Sequence, residues 1–270
     1  RGSIAESLEP FKEETVTSYE IGHKADWSSL AAVPVRTNLA LYYQDYRDIQ
    51  KTQQIASQLG FATVIVNAAE APIYGAEFDI TVAATDRLSL NLAYAYTKAE
   101  YNKWDDFSTI QMTAPYSSIA PGIVFIDGSD NDFTYIPENT LTASVNYALP
   151  VSADLGEMAL NASVYWQDDM WTSQIASNLD QVAELQDWSA EDLAIAKDDV
   201  NLKADDYAIV NLRYDWTGAL GSQLDFSLYV DNATDEEYVI GGANIIDIVG
   251  INVASYGPPR TFGAVLRYNF

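Results

Sequence analysis

The feature that most constrains this chain is an alternation of period two, recurring in segment after segment of its 270 residues. Successive side chains of an extended strand point to opposite faces, so this beat sorts apolar from polar residues onto two sides of a sheet. Six segments keep it clearly. Leu88, Leu90, Leu92, Tyr94 and Tyr96 alternate with Ser89, Asn91, Ala93, Ala95 and Thr97, and Leu141, Ala143, Val145, Tyr147 and Leu149 alternate with Thr142, Ser144, Asn146 and Ala148. Met158 to Trp166, Ala208 to Trp216, Leu224 to Val230 and Phe262 to Phe270 carry the same beat, and residues 15–27, 37–50 and 73–83 carry it more weakly, the last extending back toward Phe61. Each segment is about ten residues, the length at which a tilted strand crosses the apolar band of a bilayer. The opposite rows, such as Asn211, Arg213 and Asp215 or Asp225, Ser227 and Asp231, are too polar for the interior of a water-soluble sandwich. A barrel lumen filled with water or a polar plug accepts them.

The connections alternate in length. Short links fall near residues 28–35, 84–87, 150–157 and 217–221, and long ones near 51–60, 103–137, 173–206 and 241–259. Outer-membrane barrels have this asymmetry because their periplasmic turns are short and their extracellular loops long. The sequence therefore predicts an all-β, antiparallel, up-and-down transmembrane β-barrel wall of about nine strands. Leu90, Leu92, Val145, Leu160, Val164, Leu212, Phe226 and Leu266 should face lipid, and Asn91, Asn146, Asn161, Asn211, Arg213 and Arg267 the lumen. An odd count does not close a usual bacterial barrel, and open edges in lipid cost several kcal/mol per orphan backbone group. Residues 1–270 are thus expected to be part of a larger barrel, which fits a start, RGSIAESLEP, without the apolar core of a signal peptide. A miscounted strand would instead give a small barrel of eight or ten strands.

Composition removes several classes of function. A net charge of −25 with only 14 Lys and Arg argues against nucleic acid, whose phosphates need clustered cations. The chain has no Cys and one His, His23, which excludes thiolate sites, a His-based catalytic triad and multi-His zinc sites. His23 shares a row with Tyr19, Ile21 and Ala25 and reads as a packed neutral imidazole. Carboxylate pairs abound only because acids abound, so no catalytic constellation stands out and the chain is not expected to be an enzyme. No stretch of 18 apolar residues exists to form a membrane helix.

Four short motifs, in order, resemble a known family. Asp231-Asn232-Ala233-Thr234-Asp235-Glu236-Glu237-Tyr238 looks like the N-x-T-D-x-x-Y stretch near the end of TonB-dependent outer-membrane receptors, and Tyr256-Gly257-Pro258-Pro259-Arg260-Thr261-Phe262-Gly263 resembles the entry to their last strand. Upstream lie Ser18-Tyr19-Glu20-Ile21-Gly22, and Asn67-Ala68-Ala69 leading to Ile73-Tyr74-Gly75-Ala76-Glu77. The resemblance implies a plugged barrel of about 22 strands, of which residues 1–270 would be the C-terminal part, with the plug domain outside this chain. It further implies import of a scarce ligand, whether metal chelate, cofactor or glycan, energised by the inner-membrane TonB complex. The partners would be the plug and N-terminal strands of the same receptor, and outer-membrane lipid. The family's assembly signal has glycine five residues before the terminal aromatic, where this chain has Val265, leaving Tyr268 and Phe270 to carry it.

Candidate ligand contacts lie in or beside the long links. Trp104, Tyr116, Trp171 and Trp188 offer faces for stacking on a sugar or an aromatic chelate, or else pack the loops. Asp127, Asp130 and Asp132 are read either as a solvated acidic loop or as oxygen ligands for Ca2+, the one cofactor considered. Ser189 and Asp192 form a capping box opening a helix toward Val200 within an acid-rich loop. The excess of acid favours cationic or neutral ligands. Two rival readings remain open at this point: a passive small outer-membrane pore, and a soluble β-sandwich that binds glycans.

Overall fold

The computed structural model describes residues 10–57, 60–106, 126–172, 180, 183–184, 187–199, 203–245 and 251–270. Nine strands make the main wall: β1 (Thr15–Asp26), β2 (Val35–Ser57), β3 (Gly60–Thr85), β4 (Leu88–Ala99), β7 (Asn139–Ala148), β8 (Glu157–Gln167), β11 (Tyr207–Thr217), β12 (Leu224–Asp231) and β15 (Thr261–Tyr268). They pair in that order, each antiparallel to the next, as an up-and-down sheet requires. The other described strands and the α-helix belong to the long links: β5 (Lys103–Asp106), β6 (Ile126–Asp127), β9 (Met170–Trp171), α1 (Ala190–Asp199), β10 (Lys203–Ala204), β13 (Val239–Ile245) and β14 (Ile251–Tyr256). One continuous sheet, not two packed sheets, carries the alternation, so the sandwich reading fails.

Register turns the sequence pattern into two chemically distinct faces. Val82, Leu90, Val145, Ala162, Leu212, Val230 and Phe262 are successive partners across the wall, as are Leu39, Phe78, Tyr94, Leu141 and Trp166. Leu90, Val145, Leu212 and Phe262 are all exposed, and so wide an apolar belt on one face is what lipid, not water, covers. Tyr19, Tyr43 and Tyr74 line up as an aromatic row eight residues from Val82, about 26 Å along the strand, matching the height of the apolar band. The polar face is cross-linked by its own side chains. Asn38 donates to Asp79 at 2.8 Å, Asn91 to Ser144 at 3.3 Å and Asn161 to Asp215 at 3.1 Å. Arg213 pairs with Asp215 at 2.8 Å, and Ser227 joins the same carboxylate. Asn91, Ser144, Asn161 and Arg213 line a hollow of about 590 Å³ with Asn146 and Asn211, residues that the alternation assigns to the lumen face.

Two links expected to be loops are strands. The segment near residues 51–60 continues the β2–β3 ladder up to the pair Ser57 and Gly60, carrying the hairpin about 45 Å past the tyrosine row. The ladder shifts register twice around Ile49: Tyr46 faces Ala71 but Ile49 faces Ala69, and Gln50 then faces Asn67. Asp48 takes the extra residue at φ 53°, a left-handed conformation that Asp tolerates better than most. Asn67 secures the bulge by donating to the Asp48 carbonyl at 2.7 Å, and its Oδ1 accepts from the Lys12 amide at 2.7 Å. Above the bulge, Ile49, Ala69, Ala71, Tyr101 and Trp104 form a small buried core. The second exception is 241–259, where β13 and β14 make a hairpin of their own.

Within the acid-rich loop, α1 begins as its sequence indicates. The Ser189 hydroxyl accepts from the Asp192 amide at 3.1 Å and donates to the Asp192 carboxylate at 2.7 Å. A Ser or Thr cap contributes about 1 kcal/mol, so Ser189→Ala should speed amide exchange in α1 by roughly fivefold while leaving the wall strands unchanged. Exchange measured by mass spectrometry on the assembled receptor checks this, and unchanged protection of α1 would refute it. Among the described residues no helix is long and apolar enough to cross a membrane.

Candidate functional site

A concavity of about 730 Å³ lies at the long-link end. It is assembled from the top of β4 (Thr97 to Ala99), the turn after it (Glu100 to Asn102), the segment Ser129 to Glu138, the end of β8 with β9 (Asp168 to Trp171), and Lys203 of β10. Distant segments meet here because the wall strands that carry them are neighbours in register. Thr97 donates its amide to the Glu138 carbonyl at 2.8 Å, and Asp168 donates its amide to the Asn139 carbonyl at 2.9 Å, extending the ladders into the loops. Glu100 bridges to Asp132, Thr134 to Trp171, and β9 pairs with β10.

Its electrostatics are mixed. Lys98 sits between Glu138 at 2.5 Å and Glu100 at 3.5 Å. Lys203 reaches Asp169 at 2.9 Å with its ammonium 5.6 Å from the centre of the Trp171 ring. Asp168 accepts from the Asn139 amide group. Burial pushes the Asp132 carboxyl above the usual carboxylate range, against the pull of Lys203, Lys98 and the Trp171 indole N–H. Five carboxylates against two ammonium groups leave the wall net negative. Mouth and wall together suit a ligand with a positive or neutral polar part and a flat apolar part.

The residues anticipated for ligand contact separate into groups. Asp132 and Trp171, thirty-nine positions apart, are brought together in this wall. Trp104 is not: its indole is 4% exposed, packed on Tyr101 with ring centroids 4.8 Å apart and covered by Gly128. The Lys51 ammonium lies 4.4 Å from the Trp104 ring centre and 4.5 Å from that of Tyr101, so this tryptophan holds the loop core and presents no face to the hollow. Its Nε1 is buried without an acceptor among the described residues. Trp188 is half-buried and donates its amide to the Ala183 carbonyl at 2.9 Å, beside α1 and apart from the pocket lining. Tyr116 lies outside the described residues, as do the side chains of Asp127 and Asp130. Among the described residues no three acids or histidines gather as a metal site. Lys98, Glu138, Asp168, Asp169 and Lys203 escaped the sequence reading, since charged residues at strand ends look like ordinary solvated termini until pairing places them around one hollow.

Two of the family-like motifs prove to be one structure. Asn232, 2% exposed and at φ 50°, accepts from the Glu236 amide at 2.8 Å and donates to the carbonyls of Glu236 at 2.8 Å and Pro258 at 3.2 Å. Asp235 pairs with Arg260 at 3.1 Å, and Tyr238 packs where Gly257 leaves room. Residues 231–238 and 256–263 thereby lock the top of β12 to the start of β15.

Comparison with known proteins accords with this geometry. No curated protein sequence matches the chain. The fold is similar to that of the ferric yersiniabactin uptake receptor from Yersinia pestis, with TM-score 0.64 at 18% identity over 97% of this chain and 31% of that one. A copper transporter gives 0.59 at 13% identity over 97% and 32%, and the ferric-catecholate import receptor from K12 E. coli gives 0.55 at 17% over 95% and 27%. The chain thus spans about a third of the length of these structures. The family model described as TonB dependent receptor-like, beta-barrel, matches residues 2–233. With motifs, register and family model in agreement, the chain belongs to the TonB-dependent receptor β-barrel family and forms part of the wall of such a Gram-negative outer-membrane barrel.

Proposed function

We propose that this chain is the C-terminal wall of an outer-membrane transporter that captures a scarce ligand outside the cell and passes it to the periplasm, and that the 730 Å³ hollow contributes to capture. The observation that carries the reading is that the feet of two long links, residues 103–137 and 173–206, converge on this one hollow at the end of the wall away from the short turns. The plug and N-terminal strands of the same receptor, and the TonB complex that energises it, are the partners this function needs. Similar folds belong to receptors for ferric yersiniabactin uptake and ferric-catecholate import, to a copper transporter and to a ferric citrate transporter. A chelate or cofactor is therefore the favoured cargo, and the net negative wall favours one of neutral or positive charge. Trp171 would stack on its flat part and Asp132 and Asp168 would face its polar part. Trp188 and Tyr116 would add stacking contacts from the surrounding loops, and Asp127, Asp130 and Asp132 would supply oxygen ligands for Ca2+.

The test is whole-cell binding by the full receptor of a panel of fluorescent metal chelates of graded charge. Neutral and cationic members should bind more tightly than anionic ones, and Trp171→Ala should weaken binding about tenfold, the equivalent of one aromatic contact, with surface expression unchanged. Tight binding of anionic chelates that ignores Trp171→Ala would sink the assignment of this hollow.

A further inference from the structure

Tyr135 is held in a way that neither the fold nor the capture site accounts for. Its φ is 61°, a left-handed conformation that bulky side chains avoid, and its side chain is half exposed, so burial does not impose it. Three polar contacts do. Its amide donates to the Trp171 carbonyl at 2.8 Å, its hydroxyl donates to the Gly242 carbonyl at 3.1 Å, and the same hydroxyl lies 3.4 Å from the Gly242 amide as an acceptor. The ring rests beside Gly241, where an added Cβ would stand 3.7 Å from the hydroxyl. One side chain 107 positions away thus clasps both backbone groups of a single residue in β13. On either side of Tyr135 in sequence, Phe133 and Ile136 line the capture hollow, as does Asp132.

From these contacts we infer that Tyr135 is a positioning residue that couples the β13–β14 hairpin to the shape of the capture hollow. When the hairpin is docked, the hydroxyl clasp keeps Tyr135 left-handed, and that backbone conformation aims residues 132–136 into the wall beside Trp171. When the hairpin leaves, the clasp that holds Tyr135 left-handed is gone; of the described contacts of Tyr135 itself the Trp171 carbonyl remains, and relaxation toward an ordinary φ shifts the wall beside it. The importance of this coupling for transport rests on the capture reading above, but its existence does not. A lone surface hydrogen bond would predict the opposite: a hairpin that comes and goes without the hollow noticing.

The experiment therefore uses no ligand. The chain lacks cysteine, so Asn102→Cys in the full receptor, with cysteines elsewhere in that receptor replaced, places a reporter thiol on the wall of the hollow. Its labelling rate by a neutral maleimide is read alongside hydrogen exchange of Val239–Ile245 and Ile251–Tyr256. Tyr135→Phe, which deletes only the hydroxyl, should raise exchange in the hairpin about tenfold and change labelling at position 102 at least threefold. Ala254→Pro, which disturbs the hairpin from its other strand with Tyr135 intact, should change labelling in the same direction and guards against a variant that assembles poorly. Unchanged hairpin exchange in Tyr135→Phe, or a freed hairpin with labelling unchanged in either variant, overturns the inference. Because no chelate enters the assay, failure of the capture reading leaves this result standing, and the reverse.

Discussion

Gly75→Ala is expected to abolish assembly of the barrel, and the reason lies in which atoms stand in the way. A Cβ at position 75 would be 2.1 Å from the backbone oxygen of Tyr96, 2.5 Å from the Tyr42 hydroxyl and 2.8 Å from the Tyr42 Cζ. Tyr42 faces Gly75 in register and lays its ring across it, reaching Thr97 on the next strand with a 2.7 Å hydrogen bond. The ring can turn away, but the Tyr96 carbonyl belongs to a strand paired on both sides, to β3 and β7, and cannot retreat without breaking ladder hydrogen bonds. Removing the ring as well, in Gly75→Ala with Tyr42→Ala, should consequently fail to restore folding. Gly263 provides the contrast, for the three atoms nearest an added Cβ there all belong to the Tyr229 side chain, at 2.5 to 2.9 Å. Gly263→Ala should be milder, and Tyr229→Ala should rescue it. The folded fraction in outer membranes, read from the heat-dependent shift in electrophoretic mobility, separates the two cases. A well-assembled Gly75→Ala receptor, or rescue by Tyr42→Ala, would show that the close approach at position 75 is not what the chain depends on.

The second large effect is expected at Asn232. Alanine there removes three hydrogen bonds around a buried amide, each worth about 1 kcal/mol, and leaves a side chain with a Cβ but no local hydrogen bond in a left-handed conformation, at about 1 kcal/mol more. A loss of about 4 kcal/mol in unfolding free energy follows, roughly the sum of those contributions. Glycine at the same position keeps the hydrogen-bond loss but relieves the backbone, and should recover about 1 kcal/mol relative to alanine. Urea unfolding of the receptor in lipid vesicles measures both. Equal stability of the alanine and native proteins would mean that the junction of residues 231–238 with 256–263 is held by Asp235, Arg260 and Tyr238 without the amide.

The alternation of Leu88 to Thr97, Leu141 to Ala148 and Ala208 to Trp216 was enough to specify strands, their count and their two faces, because side-chain direction in a strand depends on nothing beyond the strand itself. The long and short links likewise announced an up-and-down order, and Ser189 with Asp192 announced a helix, since a capping box is complete within four residues. Tertiary structure decided everything that needs two distant segments. Residues 51–57 read as a loop because their own pattern is weak, yet pairing with residues 60–66 satisfies their backbone and makes them strand. Trp104 and Trp171 look alike in sequence as tryptophans flanking long links, but Tyr101, Gly128 and Lys51 close around one while the other is left at a hollow, a difference set by which loop folds over which. The charged ring of Lys98, Glu138, Asp168, Asp169 and Lys203 exists only because register sets the ends of β4, β7 and β8 side by side and carries β9 and β10 with them. Periodicity reports the environment of one strand, whereas a site is a coincidence of several, and only the ladder hydrogen bonds that align those strands determine which residues share it.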